Sequence, residues 1–279
     1  MGNYSRIEAS LRGAAKARIL ILDTNNIQFY YQHERLFPQS DIFRPYDVVL
    51  IPGWVHAEYS HHEGKAHYIA SIPVPTIIIE ETDDYLPMLG YSDKRLMELF
   101  RVASPFSESQ RFFNCYRKLE VDELSDNWID EYYNQGFFTR QTGTLITKKN
   151  AGEVSILSLC FCLLSHYPTQ IGNISIASSD FGIIALKDRI LKEANNQPLE
   201  LGILQSPPIS FLTTDVSMFG AIKAGSLSLE QIPSLRPNKR SSLYIEYFAD
   251  QTSTFHQHVV DTDSFVNICR NHEQYRIIF

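Results

Sequence analysis

The chain predicts an α/β fold built on a parallel sheet that is buried on both faces. Three observations predict it. Short runs are apolar at successive positions rather than alternating; they end in an acid or a Pro-Gly step; and helical patterns follow them.

Arg18–Asp23 is the first such run, a buried strand that stops at Asp23 and the polar residues Thr24, Asn25 and Asn26. Asp47–Pro52 is the second, closed by Gly53, after which Trp54, Val55, Glu58 and Tyr59 open a helical pattern. Pro75–Glu80 is a third strand. The spacing then predicts helices over Ser92–Val102, Glu108–Glu120 and Ser125–Tyr133, separated by Pro, Ser and Gly signals. From Gly152 a buried helix opens with the carboxylate of Glu153. Asn173–Asp180 is a fourth strand ending in an acid, and Phe181–Ala194 a helix. Pro208–Leu212 is the fifth strand, followed by a helix over Val216–Ala224 that Gly225 terminates. Beyond Leu235 the pattern changes to a tail.

The 279 residues are 44% hydrophobic and include 13 Gly and 13 Pro, which excludes collagen-like, Pro-rich and disordered chains. The division expected is a single domain over 1–279: a core over 18–80 and 141–234, a helical insertion over 82–140 and a C-terminal extension over 235–279. The four cysteines, Cys115, Cys160, Cys162 and Cys269, include no C-x-x-C pair, which excludes a zinc ribbon and argues for a reducing compartment. The N-terminal stretch lacks the apolar segment of a signal peptide. The longest apolar run, Ile156–Leu164, is far short of the roughly 20 residues a bilayer needs. A soluble cytoplasmic protein without a membrane partner is expected. Its net charge of −7 argues against a general nucleic-acid binder.

In parallel sheets, ligands bind beyond the carboxyl ends of the strands. Asp23 and Asp180 fall there, Glu58 follows a strand by one turn, and Glu153 opens a helix after a loop. Four carboxylates distant in sequence are thus expected at one sheet edge. Crowded carboxylates repel, and a divalent cation is their natural compensation; oxygen-only ligands favour Mg²⁺ or Mn²⁺. Such ions activate water and stabilise the leaving oxygen in phosphodiester hydrolysis. The bland alternative for each acid is a helix cap or a surface ion pair.

The order ILILDTNN, VVLIPGWVHAEY, NAGEVSILSLC, ISIASSDFGIIAL and ISFLTTDVSMFGAIKAGSL resembles the PIN-domain nucleases, which include VapC-type toxins. The likeness covers Arg18–Glu80 and Asn150–Ser228. It implies a three-layer α/β/α fold with strand order 3-2-1-4-5, and Mg²⁺- or Mn²⁺-dependent cleavage of single-stranded RNA, or of DNA. By position, Asp23, Glu58, Glu153 and Asp180 match the family's metal-binding acids. Ser179 stands where many relatives have a second Asp or Asn. RNA ranks ahead of DNA as partner; an inhibitory or assembly protein and a second copy of the chain are further partners open on this reading. The rival class is a non-catalytic scaffold of the same fold.

Among the remaining features, Arg140, Lys148, Lys149, Lys187 and Arg189 suit a phosphate backbone or a solvated helix face equally. His62 lies four residues after Glu58, on the same face if one helix continues, although a solvated helix histidine is the default. Asp215 fits a fifth metal acid or, by default, a cap for the helix at Val216. Thr24 suits a role in holding Asp23 or meeting phosphate. Asp261 and Asp263 suit a metal pair or a cap. The aromatics Phe112, Phe113, Tyr116, Trp128, Tyr132, Tyr133, Phe137 and Phe138 suit core packing or base stacking. With Arg111, Arg117, Lys118 and Arg140 among them, the insertion is expected to form a lid or wall beside the acids, or else a docking face.

Overall fold

A computed structural model of the chain describes residues 2–116, 124–142 and 145–279. In chain order, the first part runs α1 (Tyr4–Leu11), β1 (Ala17–Leu22), α2 (Thr24–Gln32), α3 (Gln39–Phe43), β2 (Val48–Pro52), α4 (Gly53–Tyr59), α5 (Glu63–Ala70) and β3 (Thr76–Ile79). The inserted segment holds α6 (Tyr85–Met88), α7 (Asp93–Ala103), α8 (Ser107–Tyr116), α9 (Trp128–Gln135) and a hairpin of β4 (Thr139–Thr142) and β5 (Leu145–Lys148). The core resumes with α10 (Ala151–His166), β6 (Ile171–Ala177), α11 (Gly182–Glu193), β7 (Ile209–Phe211) and α12 (Thr214–Lys223). The last part holds α13 (Ile232–Leu235), β8 (Arg240–Tyr247), β9 (Ser253–Val260), α14 (Thr262–Arg270) and β10 (Tyr275–Ile277).

The molecule is α/β, with helices flanking a central five-stranded sheet ordered β3-β2-β1-β6-β7. All four pairings are parallel, and counted within this sheet the order is 3-2-1-4-5. All five residues of β2 are buried, as the unbroken apolar runs predict for a strand covered on both faces. The helix α10 is buried at 13 positions from Ala151 to Leu164 and packs against β1, β2 and β6. Its apolar residues surround it on every side, which is the pattern of a core helix rather than an amphipathic one.

Register sets the site. Leu22 pairs with Ala177, so Asp23 emerges beside Ser178 and Asp180 at the same edge. Pro52 pairs with Ile79, so α4 begins beside Glu80 and Glu81. A Cβ at Gly53 would collide with both of those carboxylates.

The insertion is mainly helical, as expected, but its end is a β-hairpin whose polar, threonine-rich sequence gave no strand period. The expected boundary near 141 falls inside this hairpin. The third predicted helix begins later, at Trp128, and the end of the second, with Arg117 and Lys118, lies outside the described residues. Phe112, Phe113, Trp128, Tyr132 and Phe137 are buried, which decides for core packing over base stacking; Phe138 is exposed. One contiguous apolar core takes residues from the sheet, the insertion and the C-terminal part. That last part is a separate antiparallel sheet, β10-β8-β9, with α14 beside it. Asp261 caps α14 by accepting from the Ser264 amide at 2.7 Å, and Asp263 lies in its first turn, so the capping reading holds for this pair. Among the described residues no helix is long and apolar enough to cross a membrane.

Candidate functional site

Asp23 is buried at the junction of β1 and α2. It caps α2 by accepting from the Thr24 amide at 2.7 Å, and it accepts from the Ser178 hydroxyl at 3.0 Å. Burial is the main force raising its pKa, to about 7; the Ser178 bond opposes this, and the carboxylates of Glu58 and Asp180 add to it. So Asp23 caps a helix and also lies beside two of the other acids.

Glu58 sits half-buried near the end of α4 and accepts from the Thr24 hydroxyl at 2.6 Å. Its pKa is raised by burial and by Glu153, and lowered by the Thr24 bond and by Lys65. Glu153 lies in the first turn of α10, with its pKa raised to about 7 by burial and then by Asp23, with Asp180 adding to the shift. α10 and α4 approach closely here: a Cβ on Gly152 would stand 3.5 Å from the Glu58 carboxylate. Asp180 is the exposed member and turns back to accept from the Gly182 amide at 2.7 Å. The structure therefore brings together all four predicted acids, from four separate elements. Among the described residues, none of the four forms an ion pair with a basic side chain.

Among the described residues, no three acid, histidine or cysteine side chains stand in coordinating geometry. Three of the carboxylates instead rest on local hydrogen bonds, Asp23 on Thr24 and Ser178, Glu58 on Thr24, Asp180 on Gly182. The donor set is still one that suits a hard divalent cation: oxygen only, mutually repelling, and without a direct ion pair to a basic side chain among the described residues. A small cavity of about 110 Å³ opens at the site, lined by Glu153, Asp180, Asn150 and, from the insertion, Phe106.

No family model, curated protein or solved structure matches this chain.

The secondary candidates separate more sharply. Thr24 joins the cluster directly. Ser179 donates to the Asn26 side chain at 3.1 Å and accepts from the Thr214 amide at 3.2 Å, beside the acids but turned toward β7 and α12. His62 does not join: α4 ends at Tyr59, and His62 starts α5 as its cap, accepting from the Lys65 amide at 3.3 Å. The i, i+4 relation to Glu58 is broken by that helix end. Asp215 is not the cap of α12, and its carboxylate is taken by a cation of the chain itself. Thr213 caps α12, and Asp215 accepts from Arg236 Nε at 3.1 and 3.0 Å in a buried ion pair. That partner came from the C-terminal part, whose packing local sequence does not report.

Of the expected substrate-binding cations, Arg140 and Lys149 are exposed on or beside the hairpin. The Lys148 ammonium is held by Asn134 and Thr139, at 2.6 and 3.0 Å. Lys187 pairs with Asp188 at 3.1 Å, and Arg189 donates to the Val102 carbonyl at 2.9 Å, so both are engaged within the protein. Sequence reasoning missed Glu81. This buried carboxyl accepts from the Trp54 amide at 3.0 Å and from Ser155, tying the start of the Glu58 helix to the first turns of the Glu153 helix. The signal was available: Glu81 follows a strand end as Asp23 does.

Proposed function

We propose that this chain is a divalent-metal-dependent nuclease with a three-layer, PIN-like α/β/α core. The observation that carries the reading is the convergence of Asp23, Glu58, Glu153 and Asp180 at the carboxyl edge of a parallel sheet, with no basic side chain paired to any of them. Asp23 is the central group, since it lies deepest and feels both Glu58 and Asp180. Mg²⁺ or Mn²⁺, held by these carboxylates directly or through water, supplies activation of a water molecule and charge neutralisation at the phosphodiester. Glu153, whose pKa burial and Asp23 raise to about 7 in the metal-free protein, would give up its proton when a cation is held beside it. Thr24 orients Glu58, and Ser178 orients Asp23. Phe106, lining the site cavity, and Trp54, stacked on Phe100 of α7 at 5.3 Å, put the insertion at one wall of the site. That wall narrows access toward a single strand. RNA ahead of DNA follows from the sequence resemblance.

A second reading, a non-catalytic scaffold of the same core, draws support from the C-terminal sheet. Phe255 and Val259 on β9, with Tyr247 and Phe248 near its partner strand, are exposed apolar groups of the kind that mark protein interfaces. The experiment that separates the two is incubation of the protein with a mixed panel of RNA and DNA oligonucleotides, in Mn²⁺, Mg²⁺ and EDTA. Metal-dependent degradation supports the nuclease; an intact panel in every condition supports the scaffold.

A further inference from the structure

Asp215 is met by more positive charge than it needs. Arg236 is fully buried, engages both carboxylate oxygens through Nε and donates through Nη2 to the Val260 carbonyl at 3.0 Å. Ser242 adds a hydroxyl at 3.3 Å. The charge of Asp215 is thereby balanced and its oxygens are occupied. Arg240, at the start of β8, nevertheless reaches the same place. Its Nη1 donates to the Thr214 hydroxyl at 2.6 Å and touches Asp215 only at 3.5 Å. Its other guanidinium nitrogens have no partner among the described residues.

Arg240 is therefore a surplus cation, and it is only 32% exposed. Burial and the neighbouring Arg236 both act against its charge, with Asp215 giving partial relief. It lines a recess of about 80 Å³ of mixed polar and aromatic character, together with Ser179, Thr214, Ser241, Phe181, Phe279 and the already paired Asp215. Ser179 and Phe181 flank Asp180 on either side, so the recess lies next to the acid cluster. A half-buried guanidinium with free donors, a hydroxyl beside it and, as its one acidic neighbour, a carboxylate that Arg236 already balances is the arrangement that takes a phosphate oxyanion in a forked geometry.

We infer that Arg240, with the hydroxyl of Thr214, forms a phosphate subsite that seats a backbone phosphate next to the one cleaved at the acid cluster. This rests on the nuclease reading for the identity of the ligand, and on the recess alone for its chemistry. It gives the C-terminal part a role in the site: β8 brings to the acid edge a cation that the sheet core does not supply. It also answers the negative net charge, since affinity for a phosphate chain needs local rather than overall positive charge.

The test uses the full chain and two probes. Inorganic phosphate is titrated in metal-free buffer at constant ionic strength while the melting temperature is followed, and a labelled 12-nucleotide single-stranded RNA is used for cleavage kinetics and anisotropy. Wild type should melt higher in phosphate, and Arg240→Gln should lose that response. Arg240→Gln should raise KM for the RNA five- to tenfold with kcat within twofold, and flatten the salt dependence of binding by about 0.7 in log–log slope. Arg240→Lys should restore part of the KM, and Thr214→Val, which leaves the charge in place, should weaken phosphate binding less than Arg240→Gln. An unchanged phosphate response and an unchanged KM in a folded Arg240→Gln protein would overturn the subsite. A phosphate response that depends on Arg240, in a protein that cleaves no nucleic acid, keeps the subsite and removes the nuclease. If such a protein also fails to bind the RNA, the ligand is free phosphate.

Discussion

The hydroxyl of Thr24 donates to the carboxylate of Glu58 at 2.6 Å, so the residue that follows the first acid holds the second. The bond joins the start of α2 to the end of α4 across the site, and its donor is fixed because the Thr24 amide is already bound to Asp23. A hydrogen bond to a charged group contributes about 1.5–3 kcal/mol. Thr24→Val removes it while keeping the branched shape. Cleavage should fall at least about tenfold, and Thr24→Ser should recover most of it; equal rates for Thr24→Val and wild type would show that Glu58 needs no such support.

Metal-free stability should depend on pH in an unusual direction. The pKa values of Asp23 and Glu153 are raised to about 7, and that of Glu81 to about 8, all chiefly by burial. The folded state therefore binds more protons than the unfolded one, and stability falls as pH rises through these values. His33 and His56, whose pKa values burial lowers, act the other way below about 6.5. In EDTA the melting temperature should rise by several degrees from pH 8 to pH 6.5. Millimolar Mn²⁺ should stabilise most at pH 8, where the carboxylates are free of protons. A flat profile in EDTA, unaffected by Mn²⁺, would contradict the coupling of these acids.

Glu81 should act as a tie between helices rather than as a charge. Glu81→Gln keeps an acceptor for the Trp54 amide and Ser155, and should melt within a few degrees of wild type. Glu81→Ala leaves the Trp54 amide buried without a partner and Ser155 with Tyr85 alone, and should cost about 2–3 kcal/mol in urea unfolding. Matching losses for the two variants would mean that the charge itself is required.

Much of this was legible in the sequence, and the boundary between what was and was not has physical reasons. The five core strands announced themselves because a strand buried on both faces is apolar over most of its length, as from Ile19 to Leu22 in β1 and throughout β2, whereas α2, after β1, is mostly polar in its first turn and was not expected. Asp23, Glu58, Glu153 and Asp180 were legible because each closes or opens such an element. The parts that escaped depend on contacts between distant segments. Asp215 reads as a local cap until Arg236 is seen against it, and His62 shares a face with Glu58 only until the helix is seen to stop at Tyr59. In the hairpin, β4 is wholly polar and β5 pairs two apolar residues with two polar ones instead of alternating them, so no period marked it.

The ion pair of Asp215 and Arg236 should be the strongest single tie between the core and the C-terminal sheet. Arg236→Met leaves a buried carboxylate with only Arg240 and Ser242 near it, and should destabilise by about 3 kcal/mol. Adding Asp215→Leu should return a large part of that loss, because the stranded charge is gone. A double variant as unstable as the sum of two separate losses would mean that the pair contributes far more than its desolvation costs.

The central claim is that four carboxylates act as one cation site in phosphodiester cleavage, and it is tested most directly by single-turnover cleavage of a labelled single-stranded RNA in Mn²⁺. Wild type is compared with Asp23→Asn, which preserves the shape of the buried residue and removes its charge. The prediction is metal-dependent cleavage by wild type, abolished by EDTA, and a loss of at least about a thousandfold in Asp23→Asn with the fold intact. Undiminished metal-dependent cleavage by Asp23→Asn would contradict it.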